Sequence, residues 1–330
     1  MKFSCEKYIL QSACAIATRA TASKSPIPAL EGLLLQAGID LKVTGYDLRK
    51  GIYTNIAADI SEQGSIVVGS RFFGEMIRRL PDGIVTISVD HNNNVNVKCG
   101  KSEFNFMGIS AEDYPEMPTV DGLNNIALPQ QILKSMINQT IFAVSDSDVR
   151  PIYTGTLFEL EDDMLTLVSV DGYRLAKRCE KLENVKLENC SFVVPGSALS
   201  DIERICTDSE DTVSVAVGAK HISFSIGETV VVTRRLEGEF LNYRKSIPDN
   251  FKIEVEVERS EMMSTIDRVA LIVSDMSRFW MRQDLVIPHL VDYLTERCGV
   301  REEDITIVIA NGTHIGGDGQ ELRTRWSRAR

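Results

Sequence analysis

The sequence predicts an α+β protein assembled from one repeated unit, in which two helices pack on antiparallel sheets. Two copies are complete, a third is begun, and a short α/β segment follows. Three observations carry this prediction: self-similarity at a fixed shift, one apolar stripe on the first helix of each copy, and alternating runs that close each copy. Tyr8–Ser12 moved by 123 residues falls on Gln131–Ser135, and Leu10 then meets Leu133, Ser12 meets Ser135, Ala20 meets Ala143, Pro28 meets Pro151 and Gly32 meets Gly155. One residue further, Leu41 meets Leu165 and Asp47 meets Asp171. A further shift lays IDRVALIVSD (Ile266 to Asp275) on INQTIFAVSD (Ile137 to Asp146), which reads as the opening helix of the third copy. The domain boundaries expected from these matches are 1–122, 123–248, 249–275 and 276–330.

Each complete copy reads in the same order. A short strand (Lys2 to Cys5; Asn125 to Leu128) leads into a helix whose apolar stripe is Ile9, Leu10, Ala13, Ile16 and Ala17 in one copy, and Ile132, Leu133, Met136, Ile137 and Ile141 in the other. After a Pro-containing turn come strands at Leu33 to Gln36, Leu41 to Tyr46, Thr156 to Glu159 and Met164 to Val170. A second helix opens at Gly69-Ser70 and runs to Leu80, and its counterpart opens at Gly196-Ser197 and runs to Cys206, each pair suited to an N-cap. Strands at Val85 to Asp90, Asn94 to Lys98 and Glu103 to Met107, and at Val213 to Val217, Ile222 to Ile226 and Val230 to Arg234, close the copies.

Composition narrows the function. The 330 residues, 43% hydrophobic and 25% charged, suit a chain of two or three globular domains. No apolar run reaches the roughly eighteen residues of a membrane span, and the N-terminus lacks the basic-then-apolar order of a secretion signal, so a cytoplasmic protein is expected. Seven cysteines without a CxxC pair read as reduced core residues rather than a metal or disulfide framework, and no cofactor is expected. The net charge of −11 argues against a protein that coats nucleic acid by bulk attraction. It leaves open a ring whose exterior is acidic and whose hole is lined by local Lys and Arg.

MKF, PIPALEGLLL (Pro26 to Leu35), ISAEDYPEMP (Ile109 to Pro118), QTIFAVSDSDVRPIYTG (Gln139 to Gly155), VDGYRLA (Val170 to Ala176), VVPGSAL (Val193 to Leu199) and RRLEGEFLNYRKSIP (Arg234 to Pro248) follow one another in a characteristic order and spacing. By these motifs residues 1–275 resemble the bacterial DNA sliding clamp family, the beta subunit of DNA polymerase III. It implies three similar domains per chain, two chains joined head to tail as a ring, and helices facing the hole. It also implies a non-catalytic processivity role with three kinds of partner: double-stranded DNA held without regard to sequence, the DNA polymerase III alpha subunit with the clamp loader, and a second copy in a homodimer. A protein held by topology needs only weak phosphate contacts, which let it slide.

By the same resemblance the basic residues on or beside the helices, Lys7, Arg19, Lys24, Arg71, Arg78, Arg79, Lys134 and Arg204, are candidates for the hole lining. Lys24 matches a loop position that touches DNA, joined by Arg150 and Tyr153 through their neighbourhood. A hydrophobic cleft for a short linear peptide is implied at Tyr153, Val170, Gly172, Tyr173, Arg174, Leu175, Leu241, Tyr243, Lys245 and Ser246. An aliphatic or aromatic anchor entering such a cleft concentrates binding energy in a small area. Leu241 stands where some members carry proline, and the family's C-terminal cleft residues have no match here.

After Asp275 the clamp pattern stops. Val286, Ile287, Leu290, Val291 and Leu294 make a helical stripe, and Ile305 to Ala310 reads as a buried-type strand ending at Asn311-Gly312-Thr313-His314. This tail is similar to the N-terminal part of the lactate racemase-like, nickel-pincer family. Asp275-Met276-Ser277-Arg278 and Gly312-Thr313-His314 carry the similarity, with Ile315 in place of the usual arginine. The resemblance implies proton transfer for His314. The closing ELRTRWSRAR is basic and polar, as a disordered tail would be. Two readings therefore stand beside the sliding clamp: a chimeric fragment that binds partner peptides without closing a ring, and a racemase-like activity in the tail.

Overall fold

The computed structural model describes residues 1–120, 124–182 and 189–247, and beyond them residues 256, 258, 260, 269–274, 292 and 305–310. Met1–Asn242 form one compact unit and Tyr243–Arg330 a second. In the first unit the leading copy runs β1 (Lys2–Glu6), α1 (Lys7–Ala17), β2 (Gly32–Ala37), β3 (Leu41–Tyr46), β4 (Lys50–Ile56), β5 (Asp59–Glu62), β6 (Gly64–Gly69), α2 (Ser70–Arg79), β7 (Ile84–Val89), β8 (Asn94–Cys99) and β9 (Ser102–Met107). The following copy runs β10 (Asn124–Pro129), α3 (Gln130–Asn138), β11 (Gly155–Glu161), β12 (Met164–Val170), β13 (Leu175–Lys181), β14 (Cys190–Pro195), α4 (Gly196–Ile205), β15 (Thr212–Val217), β16 (His221–Ile226) and β17 (Thr229–Arg234). The two lists match element for element except for β5, an edge strand that pairs with β1 and has no counterpart.

The repeat is physical as well as sequential. Leu10, Ala13 and Ala17 of α1, like Leu133, Met136 and Ile137 of α3, turn into the core, while Ile9, Ile16 and Ile132 are only half-buried. The centre of the α1 stripe falls on Cys14, which is buried. A short 3-10 turn opened by proline, Pro28–Glu31 or Pro151–Thr154, then delivers a glycine to the start of a strand. At Gly32 an added Cβ would sit 2.5 Å from the Val67 side chain, and at Gly155 it would meet the Val194 carbonyl. The pairing of β2 on β6 and of β11 on β14 therefore needs glycine at both places. The Gly-Ser helix starts differ from the expected caps. Gly69 and Pro195 occupy the N-cap positions without a side-chain bond, and Ser70, already inside α2, donates from Oγ to the Glu31 carbonyl at 2.7 Å. That bond fastens α2 to the turn before β2 rather than capping the helix.

Each copy holds two sheets. In the leading copy α1 and α2 pack one face against the sheets β1-β7-β8-β9 and β6-β2-β3-β4, and Phe3, Leu10, Leu33, Val43, Phe73, Ile77, Ile87 and Val97 are fully buried in the shared core. In the following copy the same roles fall to β10-β15-β16-β17 and β14-β11-β12-β13. The two copies share a sheet. β17 pairs antiparallel with β4, with Val230 opposite Tyr53, Val231 opposite Ile52 and Val232 opposite Gly51, and eight strands run on without a break as β10-β15-β16-β17-β4-β3-β2-β6.

Side chains seal this joint. Ile52 and Val231 are both 0% exposed, each burial stabilising by about 1.5–3 kcal/mol. Ala20 and Ile52 belong to the core of the following copy, and Ile16 packs on it. Thr229 Oγ1 donates to Thr54 Oγ1 at 3.0 Å. On one flank Asp201 of α4 accepts from Lys50 and lies 3.6 Å from the Arg19 guanidinium, with Asp201 and Lys50 nearly closed off from water.

In the second unit β18 (Val269–Ser274) pairs parallel with β19 (Ile305–Ala310), Val269 opposite Ile305 and Ser274 opposite Ala310. The β19 expectation agrees with this. The helix expected from aligning Ile266–Asp275 with Ile137–Asp146 does not: Val269–Ser274 is a strand, because its Val-Ala-Leu-Ile-Val run favours an extended, parallel-paired backbone. The expected helical stripe from Val286 to Leu294, together with Asp275, Arg278 and His314, lies outside the described residues.

The Asp201 cluster yields a stability prediction. Asp201→Asn leaves Lys50, nearly closed off from water, without its counter-charge and should lower the free energy of unfolding in urea by about 3 kcal/mol. Pairing Asp201→Leu with Lys50→Met should recover most of that loss. A change under about 0.5 kcal/mol for the single variant would show that the cluster does not hold the joint.

Candidate functional site

Basic residues on the helices stand in two situations. Arg71 of α2, Arg204 at the end of α4 and Lys24 in the loop after α1 are exposed, and among the described residues no carboxylate lies within ion-pair reach of them. The others have acidic neighbours. Lys7 reaches Asp82 at 3.1 Å, Lys134 reaches Asp208 at 2.9 Å, and Arg78 and Arg79 reach Glu75 at 2.7 and 3.6 Å. The Arg78 hydrogen bond holds the Glu75 carboxyl below the usual carboxylate range. The Arg78 and Arg79 pairs are exposed on both sides, and pairs of that kind contribute at most about 1 kcal/mol and open readily to a phosphate, whereas the Lys7 side chain is largely shielded from water. Arg19 is set apart, because its charge is spent on Asp201 at the joint.

The second constellation forms around the hairpin of β12 and β13. Val170, buried, and Leu175, half-buried, face each other as the last pair before the turn. Asp171 shapes that turn: its Oδ1 accepts from the N–H of Tyr173 at 2.9 Å and of Arg174 at 3.0 Å, and its Oδ2 accepts from Arg174 Nε at 2.8 Å. Gly172 supplies the positive φ of 93° that the turn requires, and Tyr173 projects with 100% exposure. The leading copy makes the same turn at Asp47, whose Oδ1 accepts from Arg49 and Lys50 at 2.8 and 2.7 Å, with Leu48 at φ 70°. There the basic residue that follows turns to Asp201 of the neighbouring copy, whereas Arg174 folds back on its own turn and over the Phe142 ring at 5.8 Å.

Tyr153 is brought to this end by the Pro151–Thr154 turn. It meets Phe240 edge-on at 5.6 Å, and the Arg150 guanidinium lies 5.9 Å from its ring. Leu241, next to Phe240, is 39% exposed. Tyr153, Val170, Gly172, Tyr173, Arg174, Leu175 and Leu241 thus belong to the first compact unit, and Phe240 and Phe142 join them, two aromatics that sequence reasoning passed over although Phe240 adjoins Leu241. The remaining three cleft candidates belong to the second unit, in the Tyr243–Ser246 turn: Tyr243 is buried with Arg244 5.2 Å from its ring, and Lys245 and Ser246 are exposed. Cys5, Cys14, Cys99 and Cys206 are buried, and loss of water pushes Cys5 up to about 12 and Cys206 up to about 11, so both stay protonated thiols. Among the described residues no group of three or more His, Cys, Asp and Glu is placed to hold a metal.

Comparison with known proteins matches this arrangement. The family described as DNA polymerase III beta subunit, N-terminal domain, matches residues 1–118, and its central domain matches residues 127–242. The Beta sliding clamp of Bacillus subtilis (strain 168) is 31% identical over 284 residues, which make up 83% of this chain and 75% of that protein. The chain belongs to the beta sliding clamp family of DNA polymerase III. The sliding clamp of Halalkalibacterium halodurans is 30% identical over 317 residues, 93% of this chain and 82% of its own. Among solved structures the Bacillus subtilis sliding clamp overlays with a TM-score of 0.77 at 31% identity, covering 81% of this chain and 73% of that one. A putative beta subunit from Eubacterium rectale gives 0.73 at 34%, covering 76% and 69%. The lactate racemase N-terminal domain family matches residues 242–327, a span that starts ahead of Asp275.

The Asp171 turn has a pH signature. Its carboxyl is held below the usual range, first by the Tyr173 N–H and then by that of Arg174. A depressed folded value means that the turn's stabilisation is complete above the unfolded pKa and is lost as pH falls through the folded one. An NMR titration should place the Asp171 midpoint below about 3.9, with the Tyr173 and Arg174 amides moving at that same midpoint. A midpoint at or above that value would refute the turn's dependence on the carboxylate.

Proposed function

We propose that this chain acts as a non-catalytic processivity subunit in the cytoplasm. It encircles duplex DNA as a multi-chain assembly and presents the β12–β13 end to linear peptides of the DNA polymerase III alpha subunit and the clamp loader. The carrying observation is the continuous sheet across β17 and β4, which sets two copies of one unit side by side and can extend by the same step. On the helices, Arg71, Arg78, Arg79, Lys134 and Arg204, with Lys24 and Arg150 in loops, supply weak contacts to phosphates, which have no preference for sequence and permit sliding. Tyr153, Val170, Leu175 and Leu241 supply the apolar floor of the peptide site and Gly172, Tyr173 and Arg174 its rim, while Tyr243, Lys245 and Ser246 are assigned to peptide binding by the family resemblance alone. We take 1–122 and 123–248 as the two clamp units and the remainder as a segment akin to the lactate racemase N-terminal domain.

Retention on circular DNA tests the reading. The chain, loaded by a clamp loader onto nicked circular duplex, should stay bound through gel filtration and leave when the circle is linearised, and reversing Lys24, Arg71 and Arg204 to glutamate should shorten its residence at moderate salt about tenfold or more. Equal loss from circular and linear DNA would leave no ring. Separately, Leu175→Ala should weaken a fluorescent clamp-binding peptide by about tenfold, and unchanged affinity would remove the peptide site from this end.

A further inference from the structure

The eight-stranded sheet has a helix side and an outer side. Val43, Ile52, Val231 and Phe224 turn to the helix side and are fully buried there, so the residues that alternate with them turn outward. The strand registers set those outward residues in rows. One row reads Ser65, Gln36, Lys42 and Asn55, each directly opposite the next. The neighbouring row, two residues along each strand, reads Leu34, Thr44, Tyr53, Val230 and Ser225. The segment before β10 covers part of this side: Tyr114 packs with Leu30, Leu34, Tyr46 and Val67, and Met117 Sδ takes the space that a Cβ on Gly51 would need. Segment and sheet together line a groove of about 830 Å³, the size of a small-molecule site, which crosses the joint where Tyr53 stands opposite Val230.

The lining of this groove suits one negative charge beside an apolar body. Lys42 is half-buried in the floor, its ammonium 4.0 Å from the centre of the Tyr53 ring. Among the described residues no carboxylate comes within ion-pair reach of that ammonium and no acceptor takes a hydrogen bond from it. The ring offsets only part of the cost of drawing a cation out of water, and burial pulls the Lys42 pKa down. Two residues along the same strand, Thr44 is 3% exposed and lines the groove, and its Oγ1 has no hydrogen-bond partner among the described residues. A free ammonium and an unsatisfied hydroxyl on one face of β3 are both answered by a single oxyanion that accepts from each. Glu112 and Glu116 also line the groove, both exposed, and their charge disfavours a polyanion more than a lone carboxylate. Two strand spacings from Lys42, about 10 Å, the lining turns apolar at Val230 and Val232.

We propose that this groove binds an amphipathic monocarboxylate of the medium-chain fatty acid class, its carboxylate accepting from Lys42 and Thr44 and its chain lying along Tyr53, Val230 and Val232. Tyr53 belongs to the leading copy and Val230 to the following one, so a bound chain covers the joint and stabilises the joined form. The site lies on the side of the sheet away from the helices, and it stands or falls independently of the phosphate contacts proposed for them.

The test uses the full chain, with octanoate below its micelle concentration as the probe. Calorimetric titration should show binding that octanol, the same body without the charge, matches only about tenfold more weakly or worse, and octanoate should raise the unfolding midpoint. Lys42→Met should weaken octanoate by about tenfold or more and abolish its advantage over octanol, whereas Lys101→Met, at an exposed lysine in the β8–β9 turn, should change neither. Ser225→Phe, which fills the apolar part and leaves Lys42 in place, should weaken octanoate by a similar factor. Wild-type affinity in either groove variant overturns the proposal, as does the lack of both heat and midpoint shift up to about 10 mM octanoate. Binding of an acidic peptide that depends on Lys42, without binding of octanoate, also overturns it, in favour of a protein partner.

Discussion

Backbone pairing between β17 and β4 is the constraint on which the rest of the first unit depends. Alone, the leading copy would leave the edge of β4 unpaired and the following copy that of β17, and burying these edges against each other satisfies a row of N–H and C=O groups while removing Ile52 and Val231 from water. The antiparallel register then fixes where everything else falls. α4 comes to lie with Asp201 at Lys50 and Arg19, and the core of the following copy takes in Ala20 and Ile52 from its neighbour.

The same geometry explains why residues of one type take different roles. Lys50 and Arg174 follow identical turns, yet one is locked in an inter-copy ion pair and the other lies against its own turn at the end of the unit. Arg19 and Phe142 hold equivalent positions, and the first is consumed at the joint while the second stays in water. Position in the repeat sets the fold of a residue. Position in the row of copies sets what the residue is available to do.

Much of the fold was legible in the sequence because it is local and repeated. The stripes of α1 and α3, and strands such as Leu41–Tyr46 and Met164–Val170, follow from periodicity within a few residues. The pairing of β17 with β4 was not legible, since nothing in Thr229–Arg234 names a partner so far back along the chain. Neither was the loss of Arg19 from the set of helix cations, which depends on Asp201 approaching through that pairing. At the β12–β13 end the apolar pair Val170 and Leu175 could be located by family likeness, whereas Phe240 and Phe142 reach it only through tertiary packing. In the tail, Val269–Ser274 carried two signals at once: its likeness to an earlier helical stretch and its β-branched composition, and the composition prevailed.

The sequence distance across the joint has a consequence for synthesis. Thr54 and Thr229 touch although 175 residues separate them. A ribosome adding about 5–20 residues per second makes β17 roughly 10–35 s after β4, and for that time β4 is without its partner. Through that interval a strand edge bearing Ile52 stands open beside the ribosome, and on polysomes sister chains expose the same edge. The nascent chain therefore passes through a stage at which the joint that makes the mature unit is an open, aggregation-prone strand edge.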